Sequence, residues 1–324
     1  MSCSFIGLSI SLLVWMARPA YSQSPGINGP VAGLVYNRDS RSVRPLLGIP
    51  GATYMASAVL SNVDWASIAP DGRWAFVAQA GANSFVQGLS SANPTSFSPD
   101  GMIQADRIVW NRDGSFALLY SFSASQLQRV RLSDNGAAPD PPIDLTSLGQ
   151  PAVLAIDPTG QQIAFGIPGS GLYLFSAGQS PALLSSMATP AAIAFDQTGG
   201  RLYAADLGQQ QIVAFDSGNG PIPFASLAQT DGSVLSPVGL AVSAGNRYLL
   251  LADKSGNAVL VYDITSGPLT NRIALDFAPS RLDALTTGPT FLLNGDNSNE
   301  WLLVLDGRQT PGVYFVPASQ QEPL

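Results

Sequence analysis

Five charged residues raise the question of chemistry: Asp64, Asp106, Arg107, Arg281 and Asp283. Each stands at the start of a short apolar segment. Carboxylates gathered on one side of a molecule can hold a cation such as Ca²⁺. Two of them roughly 5–9.5 Å apart can serve as acid and base across a glycosidic bond. Arginines among them turn the same group into ion pairs, which near a surface contribute only about 0–1 kcal/mol each. No motif singles out a catalytic pair. The chain has no histidine, and Cys3 is its single cysteine. A Ser-His-Asp triad and a histidine base are therefore excluded, as are ordinary zinc, copper and haem sites. The lone lysine, Lys254, follows Asp253 in a polar stretch and reads as solvated surface.

The elements that must position these residues are short and repetitive. Residues 189–216 hold three apolar runs, 191–195, 202–205 and 212–215, each ended by a polar or Gly-rich cluster. That pattern predicts strands joined by tight turns. A turn between two apolar strands recurs six times, with glycines at 72, 114, 160, 199, 245 and 288, spaced 39–46 residues apart. Second hairpins follow, such as 172–175 with 182–184, 259–262 with 273–275 and 301–305 with 313–316. A period near 43 is that of four-stranded propeller blades. The expected fold is an all-β propeller of six or seven four-stranded blades. An additional N-terminal hairpin at 31–48 is expected to pair with the C-terminal blade and close the ring, because closure removes exposed sheet edges. Residues 49–60 read as a Gly- and Ala-rich connection.

Composition agrees. Hydrophobic residues are 46% of the chain and charged ones only 11%, with 32 Gly, 25 Pro, one Lys and two Glu (Glu300, Glu322). Surface helices need residues that are nearly missing here. The net charge of −7 gives no support for nucleic-acid binding.

Strand alternation then distributes the charges. Asp64, Asp106, Arg107, Arg281 and Asp283 share a face with Asp206, Asp253 and Asp296, which follow second strands and read as loop caps. The turn residues Asp71, Asp113, Asp157 and Asp196 lie on the opposite face, where an aspartate bonds its own backbone. Trp65, Trp74, Trp110 and Trp301 read as packing between blades.

The copies Pro190-Ala191-Ala192-Ile193-Ala194-Phe195-Asp196 with Leu202-Tyr203-Ala204-Ala205-Asp206, and Pro237-Val238-Gly239-Leu240-Ala241-Val242 with Leu250-Leu251-Ala252-Asp253, resemble the repeats of NHL and YVTN-type propellers. Asp71-Gly72-Arg73-Trp74-Ala75-Phe76-Val77 is similar to the turn of TolB-like propellers. The resemblance covers residues 60–316. It implies a fold and binding of a protein or small molecule at one face, without a particular reaction. It departs from the WD40 pattern, and the helical domain that precedes the TolB propeller is missing. YVTN-like lactonases share the fold, but their site residues are not placed on this sequence by the resemblance. Asn111-Arg112-Asp113-Gly114-Ser115 matches the Asp-box of sialidases only in part.

The first residues read as an export signal: an apolar run at 5–17, then Ala20-Tyr21-Ser22 with small residues at −3 and −1 of a cleavage site. No basic residue precedes the run. The expected organisation is a signal at 1–22 and a single propeller domain at 23–324, periplasmic or extracellular, monomeric, with no membrane span after cleavage. The expected function is a binding or scaffold module without catalytic residues or a cofactor. Its ligand, a protein or a small molecule, would meet the five charged residues at the channel mouth. The alternative is a propeller hydrolase or lyase using the channel-mouth aspartates, supported by Ca²⁺. A third is a structural envelope protein without a sizeable funnel.

Overall fold

The structure is a computed structural model. It describes residues 30–49, 51–91, 93–216, 236–265, 269–294, 301–305 (backbone only) and 312–317. Among these there are 27 strands and no helix. The strands form seven antiparallel sheets, numbered here as blades 1 to 7: 31–55, 65–97, 107–144, 153–185, 190–216, 237–274 and 283–316. Blades 2 to 7 are the six copies of the repeat, and blade 1 is a three-stranded sheet ahead of them.

Each repeat begins with an inner strand: Trp65–Ile68, Arg107–Trp110, Val153–Ile156, Pro190–Phe195, Pro237–Val242 and Asp283–Ala284. A second strand returns antiparallel to it, as Val153↔Gly166 and Ile156↔Ile163 in blade 4. Of the six turn glycines, 72, 114, 160, 199 and 245 have φ between 69° and 80°. That left-handed conformation is strained for residues with a Cβ. The neighbouring aspartates act as expected: Asp113 Oδ1 accepts the Ser115 amide at 2.9 Å, and Asp157 Oδ1 the Gln162 amide at 2.8 Å.

The core lies between blades. Seven apolar clusters fill the seven junctions, from blades 1 and 2 (Leu34, Tyr36, Val63, Val77) round to blades 7 and 1 (Leu285, Leu292, Val316, Val35, Leu46, Met55). The sheets therefore form a closed ring. Trp74, Phe76 and Phe85 are almost fully buried between blades 2 and 3. Burying one such side chain stabilises by about 1.5–3 kcal/mol. The Arg129–Asp140 ion pair (2.5 Å) is partly shielded, with side chains 15% and 36% exposed. Packing, not charge, holds the ring.

Blade 1 departs from expectation. Among the described residues the hairpin Val31–Asn37 and Ser42–Leu47 does not pair with the C-terminal blade; it pairs with a short third strand, Tyr54–Met55, inside the stretch expected to be a connection. Blade 7 meets it by side-chain packing. Its first strand also runs the other way from the inner strands. Gly33 lies against Leu285, and Leu34 against Gly72, both at inner-strand exits. At the far end the Tyr36 hydroxyl donates to the Asp64 carbonyl at 2.6 Å, and the Val63 amide to the Arg41 carbonyl at 2.9 Å, both at an inner-strand start. Direction and burial match the second strands of the repeats. Asn37 even repeats a second-strand cap, accepting the Ser40 amide at 2.9 Å as Asp206 accepts that of Gly208. Among the described residues, blade 1 thus consists of second, third and fourth strands.

Candidate functional site

The inner strands surround a central channel. One part, about 320 Å³, is lined by inner strands of blades 3 to 7, including Val109, Leu154, Ile193, Leu240 and Asp283. The other, about 210 Å³, is lined by Leu34–Tyr36 of blade 1 and inner strands of blades 2, 3 and 7. Both parts touch Pro70, Val109, Trp110, Asp283 and Ala284, so they adjoin. The walls are chiefly Ala, Val, Leu and Ile, because inner strands are apolar on both faces.

The floor lies on the turn face, where the residue before each turn's last two positions points inward. Pro70, Arg112, Pro158 and Gln197 occupy this place in blades 2 to 5 and all line the channel. Arg112 crosses it. Its guanidinium donates to the carbonyls of Thr287 (3.0 Å) and Gly288 (3.2 Å) in blade 7, and of Val242 (3.4 Å) in blade 6. Gln197 adds a bond to the same Val242 carbonyl at 3.2 Å. Arg112 is not among the candidate site residues named from the sequence. The signal available was a cation at a turn position that elsewhere holds proline or glutamine.

At the opposite mouth, the five expected residues divide. Asp64 Oδ2 accepts the Ala80 amide at 2.7 Å, and Asp64 also pairs with Arg41. Asp106 Oδ2 accepts the Phe122 amide at 2.8 Å. Each carboxylate ties the start of its inner strand to the end of the second strand. Asp206 and Asp253 make the same tie from the other side, accepting the amides of Thr189 (3.3 Å) and Ser236 (2.8 Å). Asp64 and Asp106 are therefore caps of the same kind, and neither lines the channel. Asp296 lies outside the described residues.

Arg107, Arg281 and Asp283 do line it. Arg107 is half-buried and donates to the Ala152 carbonyl of blade 4 at 2.6 Å. Burial pulls its pKa below the usual guanidinium range, while the charge of Asp283 acts in the opposite sense. A guanidinium remains cationic at neutral pH all the same. Arg281 Nε stands 3.5 Å from Asp283 Oδ2. Trp65 and Trp110 also line the channel: Trp110 donates to Ser67 Oγ at 2.9 Å and meets Phe85 edge-on, and Trp65 meets Phe76 edge-on. Trp74 is core, and the Trp301 side chain lies outside the described residues. Among the described residues no three His, Cys, Asp or Glu side chains group as a metal site.

Solved structures share this architecture. A functionally unknown protein from Desulfotomaculum acetoxidans is 14% identical with TM-score 0.60, over 88% of this chain and 98% of its own. Hydrazine synthase from Kuenenia stuttgartiensis is 14% identical with TM-score 0.56, over 85% and 92%. A candidate 6-phosphogluconolactonase from Bacteroides uniformis is 19% identical with TM-score 0.54, over 76% and 82%. At these identities the likeness shows the propeller fold alone. No family model matches the chain, and no curated protein matches it.

Proposed function

We propose that this propeller is an exported binding module that admits its ligand through the mouth beside Arg107, Arg281 and Asp283 and does not transform it. One observation carries this reading: the channel is walled by apolar inner strands and bridged at its floor by Arg112, which leaves the mouth as the way in. Apolar side chains with a few placed polar groups are the usual make-up of a ligand pocket. The hydrolase alternative, as a glycosidase, needs paired carboxylates facing the channel. At this mouth Asp283 faces it, while Asp64 and Asp106 are engaged by backbone amides. The apolar run at 5–17 with Ala20-Tyr21-Ser22 supports export to the periplasm or beyond.

Thermal unfolding of the full chain with hexanoate, hexanol and hexylamine tests the reading. A ligand that binds only the folded state raises the midpoint in a saturable way. At least one of the three is expected to do so, and Ala191→Trp, at a lining position, to abolish the effect. Hydrolysis of p-nitrophenyl hexanoate is expected at the uncatalysed rate. Turnover that disappears in Asp283→Asn would establish the hydrolase instead.

A further inference from the structure

We infer that the mouth selects an anion: a ligand with one carboxylate at the end of an apolar body, its head between Arg107 and Arg281 and its tail along the channel. This rests on the binding reading above and names the ligand class. In a chain of net charge −7, the charged side chains that line the channel at the mouth among the described residues are two arginines and one aspartate. The two cations come from blades 3 and 7, on the two parts of the channel, with Asp283 common to both. They therefore flank one region of the mouth rather than separate surfaces.

The donor geometry agrees. A guanidinium carries five N–H groups in a planar fork. The Ala152 carbonyl accepts from Nη1 of Arg107, leaving the fork anchored with further donors on the same group. Arg281 and Asp283 sit 3.5 Å apart, at the long end of contact for an ion pair. A carboxylate accepts two parallel bonds from one arginine, a match an alcohol or an amine lacks. A cation would meet two arginines, and the carboxylates of Asp64 and Asp106 face backbone amides instead.

Below the mouth the channel is lined chiefly by Ala, Val, Leu and Ile side chains and extends to blade 1. There Leu34, Val35 and Tyr36 of a second-type strand form the wall, adding the 210 Å³ part to the 320 Å³ part. Trp65 and Trp110 sit on that wall and report on occupancy.

The test is titration of the full chain with hexanoate, hexanol and hexylamine, read by tryptophan fluorescence and by calorimetry. Hexanoate is expected to bind at least tenfold more tightly than hexanol, with hexylamine weakest. Arg107→Gln and Arg281→Gln are each expected to remove at least tenfold of the hexanoate affinity and to leave hexanol unchanged. Asp283→Asn is expected to tighten hexanoate several-fold, because it removes the competing carboxylate; a purely structural aspartate would not produce that gain. Equal binding of hexanoate and hexanol would overturn the anion inference and leave the binding module standing. Preference for hexylamine, or weaker hexanoate binding in Asp283→Asn, would also overturn it. Absence of binding by all three probes would overturn both readings.

Discussion

Replacing Arg112 with alanine isolates the bridge across the channel floor. The side chain makes two ordinary bonds, at 3.0 and 3.2 Å, and a longer one at 3.4 Å. Hydrogen bonds from a charged donor contribute about 1.5–3 kcal/mol each when shielded. Two at the low end, reduced because the released carbonyls regain water, give a loss of about 2–3 kcal/mol. The bonds join residues 175 and 176 positions apart, so no local element can replace them. With an unfolding entropy of about 2.1 cal/mol/K per residue, a chain of this size should lose about 4 °C in midpoint. Reversible urea unfolding is the assay: the midpoint concentration should fall while the slope is unchanged. Arg112→Lys, with a single ammonium, should recover about half. A loss below about 0.5 kcal/mol, or a lysine variant no better than alanine, would refute the bridge.

Other consequences are simpler to measure. Gly160→Ala should cost several kcal/mol in urea unfolding, because a methyl there would come within 2.5 Å of the Phe116 ring at φ +71°. The Tyr120 hydroxyl is buried and finds no hydrogen-bond partner among the described residues, so Tyr120→Phe should be neutral or stabilising by up to about 1 kcal/mol. Burial first, and the charge of Asp106 second, raise the Tyr120 pKa above its ordinary 10.0; burial also raises that of Tyr203, against the influence of Arg201. This contribution to stability is whole below the unfolded pKa and is lost as pH climbs through 10 toward the folded values. Tyr120→Phe should therefore flatten the alkaline fall in the unfolding midpoint. Added Ca²⁺ or EDTA should leave the midpoint within about 1 °C, since Asp64 and Asp106 are occupied by amides; a rise of several degrees that Asp106→Ala or Asp283→Ala abolishes would restore the Ca²⁺-supported alternative.

Particular residues show why the ring was legible. Asp-Gly turns at 71–72 and 113–114 mark where an inner strand ends, and alternation then assigns faces without coordinates. Blade 1 was harder. An apolar strand such as 34–36 reads the same whether it is innermost or second, and only direction distinguishes them. That direction is set by contacts to Leu285 and Asp64, distant in sequence. The mouth was half legible for a related reason. Position placed Asp64 and Asp106 on the correct face, but which amide a carboxylate meets depends on the register of the neighbouring strand. The role of Arg112 is not legible in sequence, because a turn residue is normally solvated and its partners lie in blades 6 and 7.

The most direct test of the channel account is calorimetric titration of hexanoate into the full chain and into the Arg107→Gln/Arg281→Gln double variant, at low and at high salt. Saturable one-to-one binding that weakens with salt and vanishes in the double variant is the expected result. Binding of equal strength in both proteins would contradict it.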